Sequence, residues 1–328
     1  MKQLKGTHHI TLITSSAEEI YHFFTYIMGM RLVKKTINQD DINTYHLFFA
    51  DDLGSPGTDV TFFDFKGISK QVRGRNEIRK TSFRVPNDEA LSYFVKRFDH
   101  YDVKHSGVEE LFGKKVVYFE DFDNQQYALF SDQNDKGVKS GTAWLNGPVP
   151  NEFGITGLGP AFLYVNDLKR IDDALTKGLL MTKSQEQKEY ILYEMGEGGN
   201  GGSVIVVYSN EPYLALQGFG GIHHLAFRVD NKDDLTSWEN HFNNLRAPNS
   251  GYVDRFYFES LYVRLYPNIL FELATDEPGF IDDEESYENL GETLALPPKF
   301  RNKRSYVESV VRHIDTTRSN KTFKKEYF

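Results

Sequence analysis

The chain of 328 residues contains no cysteine. That excludes disulfides, thiolate nucleophiles, iron–sulfur clusters and cysteine-type zinc sites, so any metal must be held by His, Asp or Glu. It also lacks any apolar run near the roughly 18 residues that a membrane-spanning helix needs. Positive charge is in short supply: 38 Lys and Arg stand against 47 Asp and Glu, a net charge of -9. That balance argues against nucleic acid or an anionic membrane as partner. The opening MKQLKGTHHI has no hydrophobic core and no cleavage site, so no signal peptide is read and a cytoplasmic location is expected. What the chain does have is aromatic side chains, 26 Phe and 19 Tyr, with 26% charged residues, the composition of a folded globular protein. Its length is enough for about two domains.

Four apolar strands each run into a helix start. THHITLI (7–13) leads to Ser16 and Glu19, a candidate capping box, and then to IYHFFTYIMG, closed by Gly29. TSFRV (81–85), GPAFLYV (159–165) and HHLAFRV (223–229) each pass through Val and an Asn/Asp cluster suited to an N-cap. Short alternating stretches follow every start, for example MRLVKKTI, TYHLFFA and DVTFFDF after the first. One unit therefore reads as β-α-β-β-β, repeated four times. A break near Asn146–Pro150 separates two halves: 6–135, with modules of about 6–75 and 76–135, and 152–276, with modules of about 152–212 and 218–276. Residues 285–328 form a C-terminal extension, in which RSYVESVVRHI (304–314) has helical spacing and SNKTFKKEYF reads as a solvated tail.

Ten histidines are present, and four lie in two like dipeptides, His8-His9 and His223-His224, each heading an apolar strand. Strand parity puts His9, Thr11 and Ile13 on one face and His8 on the other; His224, Ala226 and Arg228 lie opposite His223. In each pair one histidine can point straight into a cavity, and the second one has the smaller neighbour two residues on. His9 and His224 are therefore the candidate ligands, with His8 and His223 as hydrogen-bonding neighbours at the edge. Glu272 in ILFELA is a carboxylate in an apolar strand, costly to bury without a metal or an arginine such as Arg255 or Arg264. Two histidines and one carboxylate are the ligand set of the facial-triad iron(II) site. A single His-His at a strand start is more often a hydrogen-bonded structural pair; its duplication, together with Glu272, favours the metal. His46, His22, His241 and His313 read as structural or exposed, and His100 and His105 as flanking a loop.

The segments HHIT (8–11), LVKKTINQDD (32–41), TYHLFF (44–49), GSPGTDVTFF (54–63), GIHHLAF (221–227), DRFYFESLYVR (254–264) and LFELATDEPGF (270–280) together resemble the vicinal oxygen chelate superfamily. That superfamily includes glyoxalase I, bleomycin-resistance proteins and extradiol dioxygenases. Within it the chain is most similar to bacterial ring-cleaving dioxygenases of the methylhydroquinone-responsive type and to hydroquinone dioxygenases, over residues 6 to 280. The resemblance implies an α+β fold in which four βαβββ modules form two paired-module open barrels, followed by the C-terminal extension. It implies metal ligands at His9, His224 and Glu272, between modules one and four, and substrate-contacting or supporting roles for His8, Thr11, His223, Arg255 and Tyr262. Asn268 stands where Gly is expected in the turn before the Glu272 strand, and Asn tolerates positive φ. The third module, GLGPAFLYV, carries no histidine, so modules one and four should meet around the metal.

The implied activity is Fe(II)-dependent cleavage of a hydroquinone- or catechol-type diol by O2, in quinone detoxification or aromatic degradation. Manganese, zinc or nickel could occupy the same donors. A homo-oligomer is compatible with the superfamily. Two alternatives compete: a glyoxalase-like isomerase or lyase, which needs a fourth protein ligand, and a non-catalytic binder of aromatic compounds. The first would require an acid opposite Glu272, where Thr61 or Phe62 stands, with Asp64 close by.

Overall fold

The computed structural model describes residues 2–281, 284–318, 321 and 323–328. Module one comprises β1 (Thr7–Ile13), α1 (Ala17–His22), β2 (Arg31–Ile37), β3 (Tyr45–Ala50) and β4 (Asp59–Phe63). Module two comprises β5 (Glu77–Val85), α2 (Asp88–His100), β6 (His105–Leu111), β7 (Lys114–Glu120) and β8 (Gln126–Ser131). Module three comprises β9 (Gly157–Leu158), β10 (Ala161–Val165), α3 (Leu168–Asp173), β11 (Thr182–Gln187), β12 (Tyr190–Glu194) and β13 (Ser203–Tyr208). Module four comprises β14 (Gly221–Val229), α4 (Lys232–Asn244), β15 (Asn249–Asp254), β16 (Phe258–Tyr266) and β17 (Ile269–Pro278).

All four helices start as their sequences predict. Ser16, Asn87, Asp167 and Asn231 each accept a hydrogen bond from the backbone N–H three residues on, satisfying an otherwise orphaned donor. Gly29, after the first helix, has φ 68, and Asn268 has φ 66, so the turn before β17 survives without glycine.

The strands form two curled mixed sheets, and each takes one module from either half of the chain. Modules one and four make an eight-stranded sheet in the order β15-β16-β17-β14-β1-β4-β3-β2. Modules two and three make the second, β11-β12-β13-β10-β5-β8-β7-β6. Each sheet is joined at its centre by an antiparallel pair, β1 with β14 and β5 with β10. Helices and sheets share one large core, including Phe24, Phe83, Tyr127 and Trp238. The sheet faces turned away from the helices are free to build sites.

The C-terminal extension contains α5 (Arg304–Val310), shorter than the 304–314 helix expected. It lies along the edge strand β2: Leu294 bridges Lys35, and Lys34 Nζ meets Glu285 Oε2 at 2.7 Å with both side chains fully buried. An exposed strand edge is thereby covered. The expected solvated tail corrects differently. Among its described residues, Glu326 Oε2 pairs with the buried Arg97, and Lys325 donates to Leu145 O, Val149 O and Asn151. The tail docks because these charged groups find buried partners that a local reading cannot see; residues 319, 320 and 322 lie outside the described residues.

Candidate metal centre

β1 and β14 run side by side at the centre of the first sheet, and both are bulged at their histidines. Thr7 pairs with Phe227 and Ile10 with Leu225, so β1 has one extra residue at His8–His9. Thr11 pairs with His224 and Leu12 with Ile222, so β14 has its extra residue at His223. A bulge breaks the alternation of side chains. The strand-parity expectation is corrected for this reason: both members of each pair lean toward one another, with Nδ1 atoms 2.9 Å apart in His8-His9 and 2.7 Å apart in His223-His224.

One of these contacts fixes a tautomer. His8 Nε2 lies 3.0 Å from Thr275 O, a group that only accepts, so this nitrogen carries the proton. Burial, with His9 beside it, pushes the His8 pKa down to about 3, so the ring is neutral and its Nδ1 can only accept. His9 therefore donates from Nδ1, which in the neutral ring leaves the Nε2 lone pair available to a metal. His223 is also pushed down to about 3, by burial first and then by His224, but no carbonyl among the described residues caps its Nε2, and its ring borders a cavity.

The bare His9 Nε2 faces His224 Nε2 at 3.2 Å and Glu272 Oε2 at 3.2 Å; His224 Nε2 is 3.0 Å from the same oxygen. These three buried residues form the ligand-competent cluster found among the described residues. Glu272 Oε1 accepts from Ser260 Oγ at 2.5 Å, while the fully buried Oε2 faces the two imidazole nitrogens and has no other polar partner among the described residues. Without a metal, burial alone would raise the Glu272 carboxyl, but a proton held on His9 or His224 outweighs it and holds the carboxyl well below the usual carboxylate range. Three converging lone pairs require positive charge between them. A single proton serves one edge of the triangle; a divalent cation serves all three. Donors about 2.0–2.2 Å from one ion and at right angles lie about 3 Å apart, which these edges match. The donor set, two imidazoles and a carboxylate without thiolate, suits Fe, Mn, Zn or Ni.

Around the triangle lies a cavity of about 510 Å³ bordered by Phe48, Phe63, Phe65, Tyr257, Phe258 and Tyr262. Arg255 stands at its mouth, donating from Nε to Tyr262 OH at 3.2 Å and to both oxygens of Asp40 at 3.1 and 2.9 Å. Asp40 belongs to the 38–44 loop, so that loop is tied to the cavity mouth through Arg255. Burial pushes the Tyr262 phenol up, so it stays protonated. Thr11 Oγ1 lies 2.9 Å from His224 Nε2 and 2.8 Å from Thr61 Oγ1, which in turn lies 2.9 Å from His46 Nε2. All eight predicted site residues thus meet at one place.

Sequence reasoning missed His46, read as an ordinary strand residue, and Ser260 and Asp40. His46 shares the β3 face of Phe48, two residues on, so a polar residue on a face otherwise filled by Phe was the available signal. Asp64 is not at the triangle: its Oδ1 accepts from Tyr45 N at 2.8 Å and its Oδ2 lies 3.8 Å from Arg312. The position matching Glu272 in module one is Thr61: Thr11 pairs with Thr61 across β1 and β4 just as Ala226 pairs with Glu272 across β14 and β17.

Comparison with known proteins agrees with this geometry. The "Putative ring-cleaving dioxygenase MhqA" of Bacillus subtilis is 37% identical over 317 residues, 95% of this chain and 99% of that protein. The chlorohydroquinone/hydroquinone 1,2-dioxygenase of Sphingobium indicum is 31% identical over 309 residues, 91% of this chain and 93% of that protein. The chain belongs to the ring-cleaving dioxygenase family. A solved structure of a family member, a dioxygenase so far designated putative from Bacillus subtilis, superposes with a TM-score of 0.87 at 30% identity, covering 97% of this chain and 99% of that one. Glyoxalase I of Zea mays shares the fold alone, with a TM-score of 0.58 at 14% identity over 83% of this chain and 92% of that one. No family model matches the sequence. No helix among the described residues is long and apolar enough to cross a membrane.

Proposed function

We propose that the chain is an Fe(II)-dependent dioxygenase that opens the ring of hydroquinone- or catechol-type diols. The observation that carries the reading is the triangle of His9 Nε2, His224 Nε2 and Glu272 Oε2, with edges of 3.0–3.2 Å, at the floor of an aromatic-walled cavity. When bound, iron(II) supplies coordination positions beyond the three protein donors and a redox-active centre at which diol and dioxygen can combine. Both oxygen atoms end in the ring-opened product, so no outside reductant is needed.

The chain's own residues set up that chemistry. With His224 ligating through Nε2, its Nδ1–H donates to His223 Nδ1, which leaves the His223 Nε2–H aimed at the cavity as a donor to a substrate oxygen. Tyr262 OH accepts from Arg255 Nε and keeps its own proton free to donate. Arg255 and Tyr262 thereby favour the ionised form of a phenolic hydroxyl beside them. The Phe and Tyr walls bind the ring face and exclude water. Once His224 Nε2 is engaged, Thr11 Oγ1, supported by Thr61 and His46, can direct its hydroxyl proton toward the reaction space.

The glyoxalase-like alternative loses its fourth ligand, because Thr61 is the residue opposite Glu272 and Asp64 is engaged elsewhere. Protein loaded anaerobically with iron(II) should consume oxygen on addition of methylhydroquinone. Absence of uptake across a hydroquinone and catechol panel, with iron demonstrably bound, refutes the proposed activity.

A further inference from the structure

The cavity over the triangle carries few full charges at its mouth. Among the described residues that border it, Arg255 is the one cation, and Asp40 and Asp41 are the carboxylates. The other bordering side chains are apolar, amide, hydroxyl or imidazole. Acid therefore outnumbers base where a substrate enters.

Arg255 is not left open to the cavity. Its Nε donates to Tyr262 OH at 3.2 Å, and Nη1 and Nη2 donate to the two oxygens of Asp40 at 3.1 and 2.9 Å. An arginine forks a carboxylate with a pair of N–H groups. Asp40 holds the Nη1–Nη2 pair, and Tyr262 holds Nε of the other.

The loop sets Asp40 in this place. Asn38 Oδ1 accepts the Asp40 backbone N–H at 2.9 Å, and Thr44 Oγ1 donates to Asp41 Oδ2 at 2.7 Å, so the 38–44 turn is held by its own side chains. Gln39 Nε2 donates to Arg255 O at 2.6 Å, so the same loop grips both the backbone and the guanidinium of one residue. The hydrogen bond from Arg255 holds the Asp40 carboxyl below its usual range against the opposing effect of burial, and Lys299 adds to it. The Asp40 side chain is 72% exposed and that of Arg255 17%. An ion pair with so exposed a partner contributes little to stability, so its consequence lies in the field at the mouth.

We propose that Asp40 is a specificity-determining residue: by occupying the fork of Arg255 it bars diols that carry a carboxylate on the ring and admits uncharged ones. The inference rests on the ring-cleaving reading above. Polarisation of a phenolic oxygen passes through Tyr262 and the Nε side of Arg255, which Asp40 leaves in place. A ring carboxylate instead meets the charges of Asp40 and Asp41 and finds no forked partner.

Methylhydroquinone and 2,5-dihydroxybenzoate are the probes, because they differ only by a methyl or a carboxylate on the same ring carbon. Two ratios are compared between wild type and Asp40→Asn. One is the ratio of kcat/KM in oxygen uptake by iron(II)-loaded protein. The other is the ratio of affinities for zinc-loaded protein, read by calorimetry; zinc has no redox chemistry, so binding alone is followed. Asp40→Asn should shift both ratios about ten-fold toward the carboxylate, the effect of one nearby unit charge across a half-exposed mouth. Asp40→Glu, which keeps the charge, should restore most of the wild-type ratio. Combining Asp40→Asn with Arg255→Gln should remove the gain. Equal effects of Asp40→Asn on both probes overturn the proposal, as does a wild-type kcat/KM that already favours the carboxylate. No oxygen uptake from methylhydroquinone by wild type tells against the ring-cleaving reading, and the zinc-loaded affinities then decide the role of Asp40 on their own.

Discussion

The two sheets are built on one plan and used in opposite ways. Each joins two modules through a central antiparallel pair, with parallel strands on either side. In the first, both central strands are bulged at a histidine pair, and the face away from the helices holds a cavity of about 510 Å³. In the second, β10 opposes β5 through one register shift near Arg79, and the corresponding face is packed with Phe130, Phe162, Leu192, Ile205 and Val207, leaving about 50 Å³. The difference teaches what converts a structural sheet into a site. Aromatic and branched side chains close the second face by burial. Polar donors that cannot satisfy one another hold the first face open around a charge.

The largest expected effect comes from making the first sheet resemble the second. Glu272→Leu should abolish metal binding and oxygen uptake, a loss beyond the ~100-fold caused by removing an outer-shell partner. It should also leave the metal-free protein as stable as before or more so, because an apolar residue replaces a buried charge; calorimetric melting with and without metal reads both. The converse change is Phe162→Ala, which opens the second sheet. It should cost about 3–5 kcal/mol of stability and leave turnover per folded molecule unchanged, measured by denaturant titration beside the oxygen assay.

Asp64 separates the dioxygenase reading from a four-ligand site. Burial first, then Glu18, raises its pKa to about 6. The folded state then keeps a proton that the unfolded chain releases above its ordinary value, so this group makes stability fall as pH rises from about 4 to 6. Asp64→Asn should flatten that part of the stability–pH curve by up to about 3 kcal/mol without altering metal affinity. A weakened metal affinity would put Asp64 on the metal and sink the three-ligand reading.

His8→Phe removes the acceptor that fixes the His9 tautomer, and metal affinity should fall about 10–100-fold. The smallest effect is expected from Thr61→Val, which cuts the link between His46 and Thr11 without changing volume. Turnover should drop about ten-fold, the worth of roughly one neutral buried hydrogen bond, with metal affinity intact. An unchanged rate would make the Thr61 and His46 contacts merely structural.

Much of this was legible in the residues. Each strand-to-helix junction carries its own cap, Ser16, Asn87, Asp167 or Asn231, because capping is decided within three residues. The duplicated His-His and the isolated Glu272 named the triangle, since no other residue combination in an apolar strand needs a cation so plainly. The direction of the second histidine in each pair was not legible. A bulge is set by register against a partner strand that lies more than 200 residues away for His9 and His224. The same holds for Asp40, which meets Arg255 across 215 residues, and for the tail, whose Glu326 finds Arg97 in the core. His46 was overlooked because a lone polar residue in a strand has no local mark of what it faces.

The sequence by itself determined the donors: cysteine is absent, so only His, Asp and Glu could hold a metal, and the module repeat put two histidine pairs at equivalent strands. The histidine pairs, with none in module three, already implied that modules one and four meet; only the tertiary structure decided that bulges turn His8 and His223 toward their neighbours, and that His8 accepts from His9 Nδ1 and leaves Nε2 to a metal. Residue types fix what chemistry is possible, because they fix which atoms can donate or accept. Position and protonation come from contacts between distant segments, and those exist only once the chain has packed.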